Sequence, residues 1–161
     1  MSSVDPIKAV LGVDPGATGA SAFLTLEGDI LAILDNSRSD IAEVLRQQLD
    51  ICQLESIAIE KQHAMPKQGV VGMFSLGVEY GWWQGVFDIR GLTYHEIQPK
   101  LWQSIIPRLP KDRMKRKRKV AKWAARRWPD AEGMLYGPKG GLKDGRSDAL
   151  AIAEFARRLG V

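Results

Sequence analysis

Apolar positions along this chain recur with two different periods, and each change of period marks an element. Ala9-Val-Leu-Gly-Val13 is nearly all apolar before Asp14, the pattern of a strand covered on both faces. Gly19 to Leu26 and Ile30 to Leu34 continue as strands, with hairpin-turn chemistry at Glu27-Gly28-Asp29 between them. From Ser39 to Gln53 the spacing lengthens. Ile41, Val44, Leu45, Leu49 and Cys52 fall three and four residues apart, which predicts an amphipathic helix capped by Ser39 or Asp40. Ser56-Ile-Ala-Ile-Glu60 is again a short buried strand, and like the first it ends in a carboxylate.

Beyond a loop from His63 to Gly72, the stretch Met73 to Ile89 is apolar over most of a helical surface, so it is either deeply buried or part of an interface. Gly77, Gly81 and Gly85 recur every fourth residue and would let a second helix approach; core packing and a dimer seam explain this equally well. Leu92 to Ile97 reads as a strand, and a short helix follows with Pro99 in its first turn. Lys115 to Trp128 is helical, with Val120, Ala121, Ala124, Ala125 and Trp128 on one side and Lys115, Lys119, Lys122 and Arg126 on another, until Pro129 ends it. Ala131 to Lys143 reads as loop, and Arg146 to Leu159 as a last helix packing through Ala149, Ile152, Ala153 and Phe155. This order predicts an α/β fold, an antiparallel meander followed by parallel crossovers, in a single domain over residues 1–161.

Composition adds one decisive feature. The 161 residues carry a net charge of +4, but 111–127 hold ten Lys/Arg and one Asp, a local +9, leaving 13 basic and 18 acidic residues, or −5, elsewhere. A cationic helix on a mildly acidic body points to a polyanionic partner. Cys52 is the one cysteine, so an intrachain disulfide and a CxxC zinc knuckle are excluded; it is expected as a small buried apolar residue. No stretch has the ~20 apolar residues of a membrane span, and the opening Met1-Ser-Ser-Val-Asp-Pro6 lacks a secretory pattern. A cytoplasmic setting is expected.

The acids then acquire company. If the strands ending in Asp14 and Glu60 run parallel and adjacent, both carboxylates emerge at one sheet edge, where α/β folds bind ligands. Asp148 falls on the packed face of the last helix, four residues before Ile152, and Asp144 lies one turn earlier. Singly, these are also what turn-forming and helix-capping acids look like: Asp14-Pro-Gly16 is good turn chemistry, and first-turn acids complement the helix dipole. Together, several carboxylates in one apolar cleft repel unless cations are present. Oxygen donors without a His/Cys cluster favour Mg²⁺ or Mn²⁺ over zinc. Two such ions ~3.5–4 Å apart suit phosphodiester hydrolysis.

Leu11-Gly-Val-Asp14-Pro-Gly-Ala-Thr-Gly19, Ile59-Glu60 and Ser147-Asp148-Ala-Leu-Ala-Ile-Ala153, in this order over nearly the whole chain, resemble the RuvC-type Holliday-junction resolvases. The run Ile59-Glu-Lys-Gln-His-Ala-Met-Pro-Lys-Gln-Gly-Val70 is similar to their phage and prophage branch, whose setting would be the host cytoplasm. The resemblance implies an RNase H-like mixed five-stranded sheet flanked by helices, and a homodimer through the helix around Met73 to Ile89. It implies Mg²⁺-dependent paired nicking of four-way DNA junctions by a two-ion mechanism in which Mn²⁺ substitutes, leaving 5′-phosphate and 3′-hydroxyl ends. Asp14, Glu60 and Asp148 match the metal-binding catalytic acids. The fourth acid of typical bacterial members stands three residues before the Asp148 position, where this chain has Gly145, so Asp144 is the candidate. Lys117 matches a catalytic-side lysine; a second falls at Gln103, with Lys100 nearby. His63 stands where relatives stack an aromatic on DNA, and Lys115, Lys119 and Lys122 complete the expected DNA-binding set. The leading expectation is a junction-resolving endodeoxyribonuclease. The alternatives are a nuclease for flaps, forks and three-way branches, a ribonuclease H acting on hybrids, or a junction-binding protein that no longer cuts.

Overall fold

The computed structural model describes residues 4–36 and 38–160, the side chains of 38–40 excepted, so the cap expected at Ser39 or Asp40 and the first residues of the opening stretch lie outside the described residues. Five strands, β1 (Ile7–Val13), β2 (Ala20–Thr25), β3 (Ile30–Asp35), β4 (Cys52–Glu60) and β5 (His95–Ile97), form one sheet in the order β3-β2-β1-β4-β5. β1, β2 and β3 pair antiparallel, whereas β4 joins β1, and β5 joins β4, in parallel. This is the expected meander followed by crossovers.

Among the described residues five α-helices flank the sheet: α1 (Arg38–Ile51), α2 (Val70–Ile89), α3 (Pro99–Gln103), α4 (Arg113–Arg127) and α5 (Asp144–Leu159). Alternation along β1 decides which helix meets which face. Ala9, Leu11 and Val13 pack with Ile41, Leu45, Trp83 and Phe87 of α1 and α2. Val10 turns to the opposite face, where Ala124 and Trp128 at the end of α4 and Ala149 and Ala153 of α5 lie.

Several element boundaries differ from the sequence pattern: α2 begins at Val70, inside the stretch expected as loop, and α4 begins at Arg113 rather than Lys115. Cys52 opens β4 rather than closing α1, because β4 pairs with β1 from Ile7 onward and draws residues 52–55 into the ladder; the thiol is buried, as expected. β5 keeps only three residues, since β4 offers it partners only from Ala58 to Glu60. The stretch taken as loop after Ala131 begins with a 3-10 helix, Pro129–Leu135, which buries Ala131 and Leu135. α5 starts two residues early, at Asp144, which places Asp144 one turn from Asp148 on the same helix.

Two contacts set how closely α5 lies on the sheet. A Cβ at Gly12 would overlap the backbone nitrogen of Ala153, and one at Gly145 would overlap the Thr18 carbonyl. Backbone therefore rests on backbone at both points, and Gly19 and Gly145 form a parallel bridge. Further along α5, Glu154 is fully buried among arginines. It accepts from Arg157 at 2.7 and 2.9 Å and from Arg158 at 2.8 Å, with Arg127 at 3.6 Å. Burial pushes the Glu154 pKa up, but the hydrogen bonds from Arg157 and Arg158 outweigh it and hold the carboxyl below its usual range. Glu154→Gln is expected to cost about 2 kcal/mol, because the arginines keep some solvent access and can rehydrate. Thermal denaturation should show this as a Tm lowered by roughly 4–8 °C.

α2 leaves much of its apolar surface uncovered. Trp83 and Phe87 are its buried residues, while Val70, Val71 and Phe74 are 78%, 80% and 74% exposed. A Cβ at Gly77, Gly81 or Gly85 would meet nothing, so within one chain the glycine stripe faces open space rather than core. No helix among the described residues is long and apolar enough to cross a membrane.

Candidate active site

Asp14 follows the last residue of β1 and Glu60 is the last residue of β4. Their strands pair in parallel with Val13 opposite Ile59, so the two carboxylates emerge side by side at one edge of the sheet. Asp144 and Asp148 arrive from the first turns of α5, brought down by the glycine contacts at residues 12 and 145. All four line one cleft of about 310 Å³ with Thr18, Pro99, Trp102, Gln103, Arg113, Arg116, Lys117 and Val120.

The walls are braced. The Asn36 side-chain amide donates to the carbonyls of Asp14 at 2.7 Å and Gly16 at 2.8 Å, pinning the turn that carries Asp14. Arg146 makes a two-pronged pair with Asp35, both contacts 2.8 Å, and donates to the Met134 carbonyl at 2.6 Å, tying the start of α5 to the end of β3. The Trp102 indole donates to Glu60 Oε2 at 2.6 Å, and Gln62 donates to Oε1 at 3.2 Å. Lys117 Nζ lies 2.5 Å from Asp144 Oδ2. α4 is capped by Asp112, which accepts from the Lys115 backbone at 2.8 Å, and is anchored at its far end where the Trp128 indole donates to the Gly28 carbonyl at 2.7 Å.

Electrostatically the cleft is unsettled by its own acids. Burial, then the neighbouring Glu60 charge, raises the Asp14 pKa to about 7, against a long backbone hydrogen bond from Gly16 and the charge of Lys117. Asp148 is driven well above its ordinary range by burial and by the charges of Asp14, Glu60 and Asp144, with Lys117 opposing. Glu60 is also raised, chiefly by burial, although Trp102, Gln62 and His63 favour its charged form. Between about pH 4 and 7 the folded chain therefore holds a proton on Asp14 that the unfolded chain has already released. Raising the pH across that window strips stability from the metal-free protein. Its Tm is expected to fall by several degrees from about pH 5 to about pH 8 in a chelating buffer, and Asp14→Asn should flatten that fall.

A divalent cation can be weighed against these residues. Among the described residues, no three His, Cys, Asp or Glu side chains stand close enough to hold a metal ion as they are. Two of the four acids are engaged elsewhere, Asp144 by Lys117 and Glu60 by Trp102. The donor chemistry nonetheless fits: all are carboxylate oxygens, and Asp14 and Asp148 form no ion pair among the described residues, so a cation would relieve the repulsion that helps raise their pKa values.

The expected DNA-binding residues do not gather in one place. Lys117 stands in the cleft, and Gln103 lines it, whereas Lys100 is exposed outside it. His63 is exposed, near enough to Glu60 to favour its charge. Lys115, Lys119 and Lys122 turn away into a separate groove, with Lys119 Nζ donating to the Arg108 carbonyl at 2.5 Å. Arg113 and Arg116 line the cleft without having been singled out; their place in the cationic run was the available signal. Trp102 and Asn36 also went unread: nothing local marks an indole or an amide as the partner of a residue 42 or 22 positions away.

No family model matches the chain, and no curated protein matches it in sequence. Solved structures do. RuvC of Thermus thermophilus in complex with a Holliday-junction substrate superposes with a TM-score of 0.61 at 19% identity, covering 94% of this chain and 96% of that one. A second Thermus thermophilus RuvC structure gives 0.57 at 20% identity, with the same coverage of both chains. At such identity the likeness speaks for architecture, and on that ground the chain has the fold of the RuvC-type Holliday-junction resolvases.

Proposed function

We propose that this protein is a metal-dependent endodeoxyribonuclease that resolves four-way DNA junctions by paired nicks. The observation that carries the proposal is the convergence of Asp14, Glu60, Asp144 and Asp148, from two strand ends and one helix start, in a cleft walled by Arg113, Arg116 and Lys117. Clustered carboxylate oxygens suit divalent ions, and cations beside them suit phosphate. The junction-bound RuvC with the same architecture supports the choice of substrate.

In this reading Asp14, Glu60, Asp144 and Asp148 hold two Mg²⁺ ions, or Mn²⁺ in their place. When bound, such ions supply a hydroxide nucleophile at neutral pH and neutralise charge on the leaving oxygen. The chain itself positions the parts. Asn36 and the Pro15-Gly16 turn fix Asp14; Trp102 orients Glu60; Lys117, released from Asp144, reaches a phosphate oxygen. Arg113 and Arg116 grip the backbone beside the cut, with Lys100 at the rim, and exposed His63 meets the unstacked bases of the junction centre. Coordinated double nicking needs two such sites. The apolar face of α2, with Val70, Val71, Phe74 and its glycine stripe uncovered, supports a homodimer through that helix.

Cleavage of a synthetic four-way junction with Mg²⁺ should outpace that of flap, fork and three-way substrates of equal arm length by at least about ten-fold. Equal rates on all four would move the assignment to a general branched-DNA nuclease.

A further inference from the structure

α4 is cationic on two sides, and only one of them faces the acids. At 3.6 residues per turn, Arg113, Arg116, Lys117 and Val120 cluster on one side of the helix, and these line the cleft. Lys115, Arg118, Lys119, Lys122 and Arg126 cluster on the opposite side. There, with Arg108, Pro107, Ile106 and Trp123, they line a separate groove of about 650 Å³ that contains no acidic residue. Its floor is apolar and fixed: Ile106 is buried, and half-buried Trp123 meets Trp128 edge-on with ring centroids 5.8 Å apart. Lys119 braces one wall by its bond to the Arg108 carbonyl.

The charges here are uncompensated. Arg127, Arg146, Arg157, Arg158 and Lys117 each pair with a carboxylate. Lys115, Arg118, Lys122 and Arg126 form no ion pair among the described residues, and like charges three and four positions apart on a helix repel. From Lys115 to Arg126 the stripe runs ~16 Å along the helix axis at ~1.5 Å per residue. One DNA strand rises ~3.4 Å per nucleotide, so the stripe matches the axial length of four to five phosphates.

We infer that this groove is a second nucleic-acid site, holding the sugar-phosphate backbone of a duplex arm other than the strand lying over the acids. A helix ~10–12 Å across separates the two sets of cations, so one helix serves two backbones. The inference rests on the nuclease reading for its substrate, but its test does not depend on cleavage.

The test is binding without cutting, in EDTA, to a four-way junction with long arms, comparing the wild type with the triple variant Arg118→Gln, Lys122→Gln, Arg126→Gln. All three side chains are exposed, and glutamine keeps helix propensity, so the variant should fold. Losing three phosphate contacts should make the plot of log affinity against log salt shallower by about 2.7. Between about 50 and 200 mM salt the wild type should then lose roughly 40-fold more affinity than the variant. On junctions with arms too short to reach the groove, that difference should vanish. A variant slope equal to that of the wild type, in a wild type that binds and cuts, overturns the groove alone, as does a slope difference that persists on the shortest arms. A wild type that binds no DNA overturns the groove and the nuclease reading together. A wild type that binds with the expected slope difference but never cuts supports the groove and removes the nuclease reading.

Discussion

Asp14→Asn and Asp148→Asn should each reduce nicking of a four-way junction by at least about 10³-fold while leaving junction binding in place. Each substitution removes one anionic oxygen donor from the site proposed to hold cations over a phosphate. Stabilisation of that kind is worth several kcal/mol, and each ~1.4 kcal/mol is ten-fold in rate. The same substitutions should raise the Tm of the metal-free protein. Burial and neighbouring carboxylates, Glu60 and Asp144 among them, raise the pKa of both Asp14 and Asp148, and the neutral amide no longer suffers that repulsion. Opposite signs for activity and stability separate these residues from ordinary structural acids, whose loss lowers both. Gel assays of cleavage and binding, with calorimetry in chelator, read all three quantities.

Gly12→Ala should be among the most damaging single-methyl additions at the described residues. Its Cβ would overlap the Ala153 nitrogen and press on the Ala149 carbonyl, and backbone cannot rotate out of the way as a side chain can. Overpacking a tight interior costs about 3 kcal/mol or more where nothing can yield. Here the strain falls on the β1–α5 contact, and relief requires α5 to lift from the sheet. That would carry Asp148 away from Asp14, so the folded remainder should also cut more slowly. Denaturant unfolding of the wild type and Gly12→Ala checks this.

These residues also show what the chain discloses locally. Asp14 and Glu60 were legible because each ends an apolar run, and parallel pairing then brings the ends together. Asp148 was legible from its phase on an amphipathic helix. The antiparallel-then-parallel order followed from a hairpin signal and two helical crossovers. Asp144 was harder to place. Its register came from the resemblance, and the reason for the one-residue offset appears only in space: the position three before Asp148 must be glycine because Thr18 and Gly19 backbone rests on it. The cationic run was read as one grip, yet helix phase divides it between two grooves. Distant partners such as Asn36 with Asp14 and Trp102 with Glu60 carry no sequence signal, since any amide or indole looks alike until the chain has folded.

The central claim is that the four carboxylates serve metal-dependent cutting of branched DNA. Its most direct test is incubation of the purified protein with an end-labelled four-way junction over a Mg²⁺ titration, with an EDTA control. Paired nicks at symmetric positions should appear with Mg²⁺, vanish with EDTA and be absent with Asp14→Asn. An intact junction at every Mg²⁺ and Mn²⁺ concentration, or nicking that survives EDTA or the Asp14→Asn substitution, would contradict it.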